Sequence, residues 1–127
     1  MILVLRVLVG LFALLFLFLG LQLMLAPESG AVGLSVTPIG EHGLNSLRGD
    51  MGGMFVGCGV LLVLGLVQRK AAWLLSVALL MGLIACGRLL GFALDGNPSS
   101  TTLVALGFEI GMAAVLVLAS RKLPAAV

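Results

Sequence analysis

Four long apolar stretches dominate the chain, and short polar segments separate them. A helix needs about 20 residues to cross the hydrocarbon core of a membrane, and the stretches match that length at residues 7–25, 47–67, 71–94 and 102–119. Strands that stand alone in lipid leave backbone N–H and C=O groups without partners, so each stretch is expected to be helical. The pattern predicts an all-α fold, an integral membrane four-helix bundle forming a single domain over residues 1–127.

The segments between the spans predict how the chain turns. The 26–43 segment contains two prolines, four glycines and the lone histidine, a composition that favours turns or a short interfacial segment over a fifth span. Only residues 68–70 separate the second span from the third. A connection this short forces the two spans into an antiparallel helical hairpin.

Positive charge gathers on one side of the predicted topology. The N-terminus, the 68–70 connection and the C-terminus share that side, which carries five positive charges and no acid. Connections that face the cytoplasm retain Lys and Arg, so both termini are predicted to be cytoplasmic. The five positive residues are Arg6, Arg69, Lys70, Arg121 and Lys122.

Composition narrows the function classes further. The chain is 61% hydrophobic and 9% charged, which suits lipid rather than water. Its seven Lys and Arg residues occur in ones and twos without interleaved aromatics, so no nucleic-acid partner is expected. One histidine and two separate cysteines, Cys58 and Cys86, offer no metal-binding spacing, and neither a metal nor a cofactor is predicted.

Charged side chains inside the spans are the main candidates for function. An unpaired one costs at least about 2.5 kcal/mol on insertion scales, so each needs a partner or water. Helix rise places Arg48, Asp50, Arg88 and Glu109 in one layer of the outer half. Asp95 follows Arg88 by seven residues and shares its helix face. These residues predict either a ligand-binding charged pocket or a structural ion-pair network, with Arg88 paired to Glu109 and Asp50 paired to Arg48 or Arg88. Arg48 and Asp50 lie two residues apart on one helix and point to different faces, which disfavours a pair between them.

Glycines at four-residue spacing form a second pattern. Small residues repeated in this way let helix backbones approach closely in lipid, so seven glycines are predicted to pack helices together. They are Gly49, Gly53, Gly57, Gly87, Gly91, Gly107 and Gly111. On the last span, Glu109 lies about 160° around the helix from both glycines. If Glu109 faces the other charges, that stripe faces elsewhere, for example a neighbouring subunit in a homo-oligomer.

Several short motifs together resemble a known family. They are Leu47-Arg48-Gly49, Gly52-Gly53, Gly87-Arg88-Leu89-Leu90-Gly91, Asp95-Gly96-Asn97-Pro98-Ser99 and Glu109. Over nearly the whole chain the sequence resembles the bacterial DUF4345 family, small four-helix membrane proteins distantly similar to the DoxX-like group. The resemblance implies a multi-pass protein of the bacterial inner membrane and matches Arg48, Arg88, Asp95 and Glu109 to family positions. It implies no established activity, although DoxX-like proteins are associated with quinone-linked oxidoreductase complexes.

Three functions are compatible with these residues. The favoured one is a non-enzymatic binding or accessory protein whose charged pocket, open to the outer leaflet, holds a lipid, another amphiphile or a helix of a larger membrane complex. The second is a proton-coupled transporter of small molecules that uses Glu109. The third, a membrane enzyme or redox-complex subunit acting on a lipidic substrate such as a quinone, is the least favoured because no catalytic constellation is evident.

Overall fold

A computed structural model describes residues 1–123, so the last four residues of the predicted domain lie outside the description. Over residues 1–123 the chain forms helices and no strands. Four of the helices are long and apolar enough to cross a membrane, which confirms the predicted all-α class. In chain order the helices are α1 (Ile2–Leu25), α2 (Pro27–Gly33), α3 (Gly40–Gln68), α4 (Ala71–Asp95) and α5 (Ser100–Lys122).

The connection between α1 and α3 contains the short helix α2. Pro27 begins α2, where a residue without a backbone N–H is tolerated because the first N–H groups of a helix have no partner. The backbone N–H groups of Leu34 and Val36 donate to Ala31 and end the helix. The structure thus contains a short helical segment where turns or an interfacial segment were predicted.

Helix α3 begins at Gly40, seven residues before the predicted start of the second span. Hydropathy identifies the apolar part of a helix, whereas polar turns can extend it beyond the lipid. Its hydrogen bonding also changes along its length: α-helical over Gly40–Ser46, π-helical over Leu47–Gly52 and α-helical again over Gly53–Gln68. A π-helix is rare and tends to occur at functional sites. This one carries Arg48 and Asp50.

The described chain divides into two compact units, each with its own packing. In the unit formed by Gly10–Val63, α1 and α3 approach closely at glycines. A Cβ atom at Gly20 would lie 2.6 Å from the backbone nitrogen of Val56, so only glycine fits this contact. The rings of Phe16 and Phe55 pack with centroids 5.8 Å apart. A small core of Leu23, Ala31 and Leu47 fixes α2 against the same helices.

The second unit combines Met1–Val9 with residues 64–123 of the described chain. Here α4 and α5 pack against each other as consecutive helices. Both present a buried row at helical spacing, which on α4 is entirely apolar and on α5 includes Glu109. The α3–α4 connection is fixed by a hydrogen bond from the Trp73 indole to Gln68, 3.0 Å long.

Candidate functional site

An ion pair between α4 and α5 is the centre of the candidate site. Arg88 Nε donates to both carboxylate oxygens of Glu109, at 2.8 Å and 2.9 Å. The Glu109 side chain is 11% exposed and the Arg88 side chain 37% exposed. A carboxylate buried between apolar helices needs a partner, and Arg88 supplies it from the facing helix. The sequence-predicted partners Arg88 and Glu109 are therefore brought together.

Only one nitrogen of the Arg88 guanidinium takes part in this pair. A guanidinium has five N–H donors, of which Nε carries one and the terminal nitrogens carry four. Among residues 1–123, no hydrogen bond joins those terminal nitrogens to another group. Arg88 thus neutralises Glu109 and retains donors for a further anion.

Arg88 also lines a polar groove of about 290 Å³ where α4 ends and α5 begins. Asp95 lines the same groove, and its Oδ2 lies 3.8 Å from the position a Cβ would take at Gly91. The carboxylate therefore reaches back along α4 over a residue with no side chain. The full lining is Arg88, Gly91, Phe92, Asp95, Gly96, Asn97, Pro98, Ser99 and Thr102.

The turn between α4 and α5 shapes this groove. Gly96 has φ 93° and ψ −150°, a conformation essentially restricted to glycine. Ser99 then caps α5 by accepting a hydrogen bond from the backbone N–H of Thr102, 3.2 Å long. Sequence reasoning missed Ser99 and Thr102 as groove residues, although a serine shortly before an apolar run is a typical N-cap.

Arg48 contacts the end of α1, and its predicted role in a charged pocket stays a prediction. Its Nη1 donates to the backbone carbonyl of Met24, 2.9 Å away, in the last turn of α1. The last carbonyls of a helix have no partner within the helix, so this bond caps α1. Arg48 and Asp50, whose two-residue spacing on one helix disfavours a pair, form no ion pair within residues 10–63. That Arg48 and Asp50 share one layer with Arg88 and Glu109 stays a prediction.

Most of the glycines predicted to pack helices together have no neighbouring helix of the described chain close to their Cα atoms. Within residues 1–123, a Cβ at six of the seven would meet no atom outside the adjacent helix backbone within 4 Å, and at Gly91 it would meet only Asp95. Close approach occurs instead at Gly20, Gly52 and Gly59 in one unit and at Gly65 in the other. Four-residue spacing identifies a helix face but not the face that meets a neighbour.

Comparison with known proteins identifies the family. The family model described as "Domain of unknown function (DUF4345)" matches residues 4–120, which include the ion pair and the whole groove. The chain belongs to the DUF4345 family. Comparison with curated proteins and with solved structures found no match. The described part of this DUF4345 chain contains no group of three or more His, Cys, Asp or Glu residues that could hold a metal ion.

Proposed function

We propose that this protein is a non-enzymatic membrane protein that binds the phosphate-bearing headgroup of a lipid in the Arg88 groove. The observation that carries the proposal is the Arg88 guanidinium, which is held by Glu109 through Nε and lines an open polar groove. Fixing Nε orients the planar guanidinium before a ligand arrives, which reduces the ordering needed on binding. Arginine is well suited to phosphate because its donors form a rigid fork.

Asp95 favours a zwitterionic headgroup over a purely anionic one. It lines the groove with Arg88, so the site offers one cationic and one anionic group. A phosphoethanolamine headgroup has the complementary charges, with the phosphate suited to Arg88 and the ammonium suited to Asp95. Removal of Asp95 is expected to weaken this preference without abolishing phosphate binding.

Native mass spectrometry of protein released from nanodiscs tests the proposal. We expect phosphatidylethanolamine to remain bound to the unmodified protein, and Arg88→Gln to reduce its occupancy about tenfold, the loss typical of a charged hydrogen bond. Arg121→Gln is the matched control, because it removes an equal charge from the exposed last turn of α5. Equal lipid occupancy in all three proteins would contradict the proposal.

We further propose that the protein lies in the bacterial inner membrane with both termini in the cytoplasm, as a homo-oligomer. The orientation is supported by the basic residues at the α3–α4 connection and in the last turn of α5, including Arg69 and Arg121. Oligomerisation is supported by open glycines such as Gly107 and Gly111, which leave a smooth helix face. Oligomer size in native mass spectra tests this part independently of lipid binding.

A further inference from the structure

A second groove, mostly apolar, lies beside the π-helical part of α3. Its volume is about 400 Å³, which falls within the range of small-molecule sites. It is built from the chain after α2 and from the first turns of α3, all within the Gly10–Val63 unit. Its lining is Val36, Thr37, Pro38, Ile39, His42, Gly43, Ser46, Leu47, Asp50 and Met51.

Asp50 is the one Asp, Glu, Lys or Arg residue in this lining. It is exposed, and within residues 1–123 it forms no ion pair or side-chain hydrogen bond. A carboxylate next to apolar side chains is complementary to a cation that carries apolar substituents. In the described part of the chain Arg48 forms no ion pair with Asp50: Arg48 Nη1 donates to the Met24 carbonyl, and the Arg48 side chain lines other grooves.

The length of α3 places this groove near the membrane surface. At about 1.5 Å per residue its 29 residues extend about 43 Å, against about 30 Å for the hydrocarbon core. When Gln68 is placed at one boundary of the hydrocarbon core, about 20 residues of α3 cross the core, and the helix reaches the opposite boundary close to Gly49. Asp50 then lies where amphiphiles place their charged groups and the apolar lining lies beside it.

We infer that this groove binds a lipophilic cation, an ammonium or phosphonium with apolar substituents. The cationic centre lies against Asp50, and the substituents contact the apolar lining, which includes Ile39 and Met51. Charge complementarity decides between amphiphiles, since a phosphate-bearing lipid would bring like charge to the carboxylate. The π-helical segment supports the assignment because such segments are concentrated at functional sites.

Equilibrium dialysis with radiolabelled tetraphenylphosphonium, in a neutral detergent and against a protein-free control, tests the inference. We expect saturable binding to the unmodified protein and roughly two- to fivefold weaker binding to Asp50→Asn, as for loss of an exposed charge pair. Glu41→Gln removes an equal charge from the same end of α3 but not from this groove, and it should bind as the unmodified protein does.

Two further measurements test whether the charge of the ligand and the space in the groove determine binding. Tetraphenylborate has a similar shape and the opposite charge, so it should show no saturable binding. Thr37→Trp fills the groove from an exposed position and should weaken tetraphenylphosphonium binding while Asp50 remains. Absence of saturable binding to the unmodified protein, or equal binding to Asp50→Asn and the unmodified protein at unchanged helix content, would overturn the inference.

Discussion

Arg88 holds Glu109 through a single nitrogen, with Nε 2.8 Å and 2.9 Å from the two carboxylate oxygens. Each residue lies on one helix of the α4–α5 pair, so the bond joins the helices directly. Loss of one partner leaves the other charge in an apolar surrounding, whereas loss of both leaves two neutral groups that can bond to each other.

This relationship predicts a strong coupling between the two side chains. Arg88→Gln and Glu109→Gln should each lower the free energy of unfolding by about 1–3 kcal/mol, with the half-exposed Arg88 reducing the effect expected for a fully buried pair. The double variant should be more stable than the sum of the two losses implies. SDS-induced unfolding followed by circular dichroism measures this, and strictly additive losses would show that the pair is not coupled.

Close packing of α1 against α3 predicts a sharp difference between two glycines of α1. Gly20→Ala should lower the free energy of unfolding by about 1–3 kcal/mol, because its Cβ would overlap the backbone of Val56, which cannot rotate away. Gly10→Ala is the control, since a Cβ there meets no atom outside the adjacent helix backbone within 4 Å. Equal stability of the two variants in the same unfolding assay would contradict the close contact between Gly20 of α1 and Val56 of α3.

A second glycine pair tests the difference between predicted and observed packing on α3. A Cβ at Gly59 would lie 3.1 Å from the Ala13 carbonyl oxygen, whereas one at Gly57 has open space. Gly59→Ala should therefore destabilise the monomer and Gly57→Ala should not. If Gly57→Ala instead lowers oligomer size in native mass spectra with monomer stability unchanged, the open glycines form the interface between subunits.

These pairs also show what the sequence could predict. The cost of charge in lipid was enough to predict the Arg88–Glu109 pair, because few partners are available. The packing glycines could not be selected by spacing, since Gly20 and Gly59 belong to no four-residue repeat. The groove residues Ser99 and Thr102 lie together through a local turn, whose geometry depends on the backbone of Gly96 rather than on any charge pattern.

The Gly96 conformation predicts that the groove depends on one glycine. Gly96→Ala should lower the free energy of unfolding by about 1–3 kcal/mol, because its φ of 93° is strained for any residue with a Cβ. It should also reduce phosphatidylethanolamine occupancy, since Gly96 lines the groove. Gly82→Ala, at an open position of α4, is the control. Unchanged stability of Gly96→Ala would contradict the turn geometry.

The distribution of basic residues predicts the side of the membrane on which each connection lies. In a background with both cysteines replaced by alanine, Thr37→Cys and Ala72→Cys place single thiols at exposed positions without altering any charge. A membrane-impermeant maleimide should label Thr37→Cys in intact bacterial cells and Ala72→Cys only after the membrane is opened, because Ala72 follows the basic Arg69–Lys70 connection. Labelling of Ala72→Cys in intact cells would reverse the proposed orientation and place the Arg88 groove on the cytoplasmic side.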